Sequence, residues 1–227
     1  MIKKLLISML AGMMALGTFA QENKFTVKGT FEGFKDSVKI SLLDVSCWKT
    51  IVVDSRAVTG EVLEFSCDLK DAALLNICEG NDPWAKLLLP AIPGETLIIY
   101  HDDNQVTHFG GSQFYVDYDE AQQIINPIWI ALTESQKRMS GNGEPIKKEE
   151  EEHFFNQYKK LHNALDDDVL NYVKAHPDQD AAAALIFVLF DDNKAVEAAE
   201  AMLTERARNS VAAQLYKACS RPIHIEK

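Results

Sequence analysis

Between Leu87 and Tyr100 the chain reads LLLPAIPGETLIIY, two apolar runs separated by Pro90, Pro93 and Gly94. Proline fixes φ and has no N–H to donate, while glycine reaches conformations closed to other residues, so the chain must turn sharply here. The pattern predicts a tight connection between two buried strands, at Leu87–Leu89 and Leu97–Tyr100. None of these side chains is a nucleophile or a metal ligand. The segment therefore specifies architecture and names no reaction.

Upstream and downstream the same grammar repeats. From Lys24 to Phe109, short runs alternate apolar and polar residues between turn residues at roughly ten-residue spacing, which predicts an antiparallel sheet or sandwich. Phe25, Val27 and Gly29 alternate with Lys24, Thr26 and Lys28, giving one apolar and one wet face. Val38, Ile40 and Leu42 repeat this after a Gly33–Asp36 turn, and 48–58 reads as a third strand. Thr59-Gly60 turns the chain into a fourth, whose inward set is Leu63, Phe65 and Cys67. Leu74–Cys78 and Val106–Phe109 complete the β part, assigned to residues 21–111.

After Gly111-Ser112 the period changes from two to 3.6 residues. Tyr118, Ala121, Ile125, Ile128 and Leu132 fall on one helical stripe that Trp129 extends, with Pro127 predicting a kink or break. A Gly- and Asn-rich loop at Ser140–Pro145 ends that helix. Phe154, Tyr158, Leu161, Leu165, Val169 and Tyr172 form the apolar face of the next, which starts with Glu149–Glu152 and stops at His176-Pro177. Ala181–Phe190 is apolar all round and must be buried; two short helices, about 194–207 and 209–219, follow. The stripes call for a small helical bundle over residues 112–227. The fold class is α+β: an N-terminal antiparallel sheet or sandwich, then an all-helical region.

Residues 1–20, MIKKLLISMLAGMMALGTFA, have the layout of a secretory signal peptide: Lys3 and Lys4, an apolar Leu5–Leu16 core, then Thr18 and Ala20 at cleavage spacing. Export is expected to leave Gln21 at the new N-terminus, in the periplasm or outside the cell. The apolar run is shorter than the ~20 residues a spanning helix needs. Loss of its two lysines takes the formal charge from −11 to −13. So acidic a surface repels nucleic acid and anionic lipid, which bind through clustered Lys and Arg.

An exported chain meets oxidising conditions, and Cys47, Cys67, Cys78 and Cys219 permit one or two disulfides. None of their spacings is CxxC, the local arrangement that pairs a nucleophilic thiol with a resolving one. Cys67 on its strand and Cys219 on a stripe with Val211 and Leu215 read as buried free thiols. His101, His108, His153, His162, His176 and His224 are dispersed and form no zinc motif. The acidic runs Asp102–Asn104, Asp166–Asp168 and Asp191–Asn193 lack the alternating oxygens and glycine of a calcium loop. No GxSxG, P-loop or GxGxxG occurs, and no cofactor, metal ligand or catalytic residue is expected.

A strand ending VKGTF, then VDSRAVTGEVLEF, LLNI, LPAIPGETLIIY and FGGSQFYVDY, over about residues 24–115, resemble DUF4369. That domain occurs in exported proteins of Bacteroidetes, usually upstream of a thioredoxin-like domain, and the helical region resembles the linker between the two. In those proteins a CxxC-bearing domain normally begins near the position of Arg221–Lys227. The resemblance thus implies the accessory half of a thiol-disulfide protein without its catalytic half, and it carries no catalytic residues across.

The remaining chemistry lies in aromatics: Trp48, Trp84 and Tyr100 stand at strand or loop positions where a ring could contact a partner or ligand. The sequence reads best as an exported, non-catalytic envelope module that binds or positions another envelope protein. A soluble glycan or small-ligand binder is the second reading, and an accessory subunit of a thiol-disulfide enzyme the third.

Overall fold

The computed structural model describes residues 23–31, 34–45, 49–80, 87–139, 148–189 and 192–219. The expected signal peptide, the Ser140–Pro145 loop, Cys47, Trp48 and Trp84 lie outside them. Among these residues eight strands come first: β1 Lys24–Gly29, β2 Ser37–Asp44, β3 Lys49–Ala57, β4 Leu63–Asp68, β5 Ala73–Glu79, β6 Leu87–Ala91, β7 Thr96–His101 and β8 Thr107–Gly111. Six α-helices follow: α1 Gln113–Met139, α2 Lys148–Ala175, α3 Asp180–Leu185, α4 Asn193–Met202, α5 Glu205–Arg208 and α6 Gln214–Cys219. A 3-10 turn at Ile186–Leu189 continues α3. The α+β arrangement is as the sequence predicts.

The strands form two four-stranded sheets, ordered β4-β1-β7-β8 and β3-β2-β5-β6. Their inner faces meet in one core: Phe25, Val27, Phe65, Leu97 and Ile99 from the first, Val38, Ile40, Leu75, Ile77 and Leu89 from the second. One pair departs from the antiparallel expectation, because β1 runs parallel to β7. The LLLPAIPGETLIIY segment explains why. Its breaker, with Gly94 at φ 80°, carries the chain from the edge of one sheet into the middle of the other, so β6 and β7 pair with different neighbours. Pro90 is tolerated because β6 is an edge strand. Each run is buried on one side only, Leu88, Ile98 and Tyr100 remaining exposed.

Thr26, expected on the wet face of β1, is instead buried. Its strand is interior to the sheet, and its hydroxyl lies 3.0 Å from that of Ser66 on β4, so the polar atom has a partner where water is scarce. Cys67 does share the inward parity of Phe65, but is only half-buried. Cys78 is buried, and both are free thiols.

In the helical part α1 is continuous through Pro127, so the expected break is absent. The missing N–H costs one turn's hydrogen bond, and the buried contacts of Ile125 and Leu132 on either side keep the helix in place. Trp129 leaves the stripe and is 44% exposed. On α2 the stripe is buried at Leu165, Val169 and Tyr172 but only half-buried at Phe154, Tyr158 and Leu161. The Ala181–Phe190 run is buried as predicted over Ala181–Leu189, apart from the half-buried Phe187, and Phe190 lies outside the described residues. The tail expected as two helices is three: Leu203 leaves helical geometry and Thr204 caps α5, its hydroxyl accepting from the Ala207 N–H. Val211 precedes α6 and is exposed, so it shares no stripe with Leu215.

α1 lies against β8 and β7 and also against α2. One hydrophobic cluster consequently runs from the sandwich into the bundle through Phe109, Phe114, Tyr115 and Tyr118. The sandwich is thus covered by α1 along its β8 side, while β3 and β4, the opposite edges of the two sheets, pair with β2 and β1 on one side and with no described strand on the other.

Candidate functional site

The side away from α1 holds a cavity of about 740 Å³ between β3 and β4. Ile51, Val52 and Val53 of β3 form one wall, Cys67 and Leu69 another, and Gln214 and Lys217 of α6 close an end. Gln214 is fixed there because its side-chain carbonyl accepts from the Ala72 N–H at 3.0 Å. Opposite Ile40 and Ser41 the register of β3 slips by one residue, leaving Val53 as a bulge that packs toward the core. Ile51 and Val52 are 54% and 59% exposed. A nine-residue edge with an uncharged centre of Thr50–Val53 is a surface proteins usually guard with charge. Lys49 begins the strand, and directly after Val53 comes Asp54, paired at 2.8 Å with Arg56, which lies 4.9 Å from the Phe65 ring.

Among the described residues, Cys67 is the thiol that faces this cavity. Burial, and secondarily the Asp68 carboxylate, push it above the ordinary thiol value, which lowers its thiolate fraction and so its reactivity at neutral pH.

The second cavity, about 410 Å³, lies on the covered side between α1, β8, β6 and the 3-10 turn. Beside it is a cluster centred on His108. Its Nδ1 is 2.9 Å from Asp119 Oδ2 on α1 and its Nε2 is 3.9 Å from Asp102 Oδ2 in the β7–β8 turn. Asp119 also accepts from the Phe109 N–H at 2.8 Å, and Gln123 donates to the Thr107 carbonyl at 3.3 Å. The Asp119 hydrogen bond, then the two carboxylate charges, hold the imidazole above its ordinary value. Asp102 is held low, chiefly because it accepts from the Val106 N–H. With a carboxylate on each side of the ring, His108 acts as a clamp between strand, turn and helix, and neither nitrogen faces a nucleophile.

Of the aromatics singled out in the sequence, Tyr100 is described: it projects from β7, 47% exposed, and stacks on His108 with ring centroids 5.5 Å apart. Sequence reasoning did not find the His108–Asp119 pair, since eleven residues separate a strand from a helix and no motif joins them. It also missed the cavity beside β3, which depends on which strand ends up at the edge of each sheet. Among the described residues no three His, Cys, Asp or Glu side chains converge as metal ligands, and no helix is long and apolar enough to cross a membrane.

Comparison with protein-family models finds no match, and comparison with curated proteins finds none either.

Proposed function

We propose that this protein is an exported, non-catalytic interaction module that takes an extended segment of another envelope protein along β3. The observation that carries the reading is the outer side of β3: a nine-residue edge strand, uncharged over Thr50–Val53, paired with β2 on one side only and with no described strand on the other, bordering a 740 Å³ cavity. Strand addition would satisfy the free backbone groups of that edge, and the cavity would receive alternate side chains of the incoming segment, which supplies specificity. Asp44, Asp68 and Asp71 against Lys70 and Lys217 give the cavity rim a small acidic excess, so the favoured segment is apolar with a flanking basic residue. The leader-like residues 1–20 support export, and the resemblance to DUF4369 supports kinship with the accessory part of exported thioredoxin-like proteins. The raised thiol of Cys67 weighs against a redox role for the module itself.

The test uses the mature chain as bait in a periplasmic extract, with a I51K/V52K double variant as control. Both residues are exposed, so the variant should keep its fold. A partner identified by mass spectrometry should be lost with the variant and, when bound to the native chain, should slow amide exchange across Thr50–Asp54. Binding that leaves those amides exchanging freely would place the interface elsewhere and defeat the reading.

A further inference from the structure

The 410 Å³ cavity has a lining unlike the rest of this acidic molecule. Among the described residues, sixteen surround it and none is charged. Its polar groups are mainly carboxamides, from Gln105, Gln122, Gln123 and Asn126, and its apolar surface includes the Trp129 ring. Its volume falls within the roughly 300–1,000 Å³ of small-molecule sites. We propose that this cavity, between α1 and the β7–β8 turn, binds a short neutral saccharide, with the Asn126 and Gln105 carboxamides pairing to hydroxyls and the Trp129 ring covering a C–H face of a sugar.

The chemistry of the lining selects this class. An anion would find no counter-charge among the described lining residues and would enter against a net charge of −11. A wholly apolar ligand would strand the Asn126 carboxamide, which is half-buried and has no hydrogen-bond partner among the described residues. A cation would leave the Asn126 amide N–H donors without acceptors, those of Gln122 and Gln123 being engaged by the Tyr118 hydroxyl and the Thr107 carbonyl. A carboxamide both donates and accepts, as a hydroxyl does, so a row of amides matches a row of hydroxyls. Trp129, Ile130 and Leu88 are 44%, 51% and 39% exposed, which leaves apolar surface at the mouth for the C–H faces of a ring.

The walls are held in place before any ligand arrives. Gln105 sits in the left-handed region at φ 63°, a conformation that a non-glycine residue adopts only where its surroundings impose it. Here the Asp102 carboxylate imposes it, accepting from the N–H groups of Asn104 at 2.9 Å and Val106 at 2.8 Å. The same carboxylate faces His108, which Asp119 ties to α1. The cluster therefore fixes the turn that carries Gln105 relative to the helix that carries Gln122, Asn126 and Trp129. Gln122 is further set by its bond to the Tyr118 hydroxyl at 2.8 Å. Rigid walls reduce the entropy lost on binding.

The experiment titrates the mature full chain with neutral gluco-, manno-, xylo- and N-acetylglucosamine oligomers, from disaccharide to tetrasaccharide, by calorimetry and by thermal shift. At least one series is expected to bind and to raise the melting temperature. Asn126→Ala and Trp129→Ala should each weaken that binding by about ten-fold or more, with Trp129→Phe recovering part of the loss. Both positions are incompletely buried, and the melting temperature without ligand confirms that each variant is folded. Capture of a protein partner at β3 should not change in Asn126→Ala, which separates this site from the one proposed above. The inference is overturned if none of these oligomers binds, if binding survives both alanine variants, or if the cavity takes peptides or charged ligands instead.

Discussion

The Tyr115 hydroxyl donates a 2.7 Å hydrogen bond to the Pro90 carbonyl, joining the first turns of α1 to edge strand β6 at a point sealed from water. Burial drives the phenol well above its ordinary value, so it is a permanent donor at any pH the protein meets. Tyr115→Phe keeps the ring and strands the carbonyl, for which about 1–3 kcal/mol is lost. For a chain of this length that corresponds to a fall in melting temperature of about 2–4 °C per kcal/mol, readable by calorimetry. An unchanged melting temperature would mean that the bond contributes nothing.

Gly111 ends β8 at φ +102°, opposite Leu97. A β-carbon there would overlap the Thr96 carbonyl oxygen and lie 3.2 Å from the Ile98 side chain. That carbonyl is already engaged, accepting from the Ser112 N–H at 3.0 Å. Gly111→Ala therefore combines backbone strain of about 1–3 kcal/mol with a clash. It is expected to destabilise the chain more than Tyr115→Phe does, and urea unfolding of the two variants side by side decides the order.

The His108 clamp makes a pH prediction whose sign follows from linkage. The folded state holds this imidazole above about 6.5, its unfolded value. Its contribution is fully present below that value and is lost as pH rises through the higher folded one. The facing groups are Asp119 and Gln123 from α1, Asp102 from the turn and Tyr100 from β7. The His108→Gln difference in melting temperature, mutant against native, should thus be larger at about pH 5.5 than at about pH 8.5. An equal difference at both would show that the ring acts by packing alone. The site is partly solvated, so the effect stays small.

How far the sequence foretold this follows from what each signal encodes. Period-2 runs located Val38, Ile40, Leu42 and Leu63–Cys67 as strands because alternation reports one buried face directly. Which strand neighbours which is a tertiary fact, so the parallel pairing of β1 with β7, the burial of Thr26 and the open β3 edge had no local signature. Ala181–Leu189 was legible because an all-apolar run has nowhere to lie but inside. Trp129 was not, since a ring at the rim of a stripe fits a core or a cavity mouth equally well. The candidate site was the least legible part: Gln105, His108, Asp119 and Asn126 come from a turn, a strand and a helix, and carboxamides carry no motif.

The switch of period at Gly110–Ser112 marks a boundary in sequence, but the hydrophobic core crosses it. Phe109 on β8 faces Tyr118 with ring centroids 6.3 Å apart, and Gln214 near the far end of the chain binds the Ala72 N–H. The two sheets still meet each other through Phe25, Val27, Ile40, Leu75 and Leu97. Residues 21–111 expressed alone should accordingly keep a β-type circular dichroism spectrum. They should also melt well below the whole chain, because losing Phe114, Tyr115 and Tyr118 removes burial of about 1.5–3 kcal/mol for each large side chain. Leu165→Asp in the whole chain supplies the converse, placing a charge in the buried centre of the α2 face and collapsing the helical signal first. Equal melting of the β part and the whole chain would show that α1 adds nothing to the sandwich. A β part with no β spectrum would show that the helices complete its core.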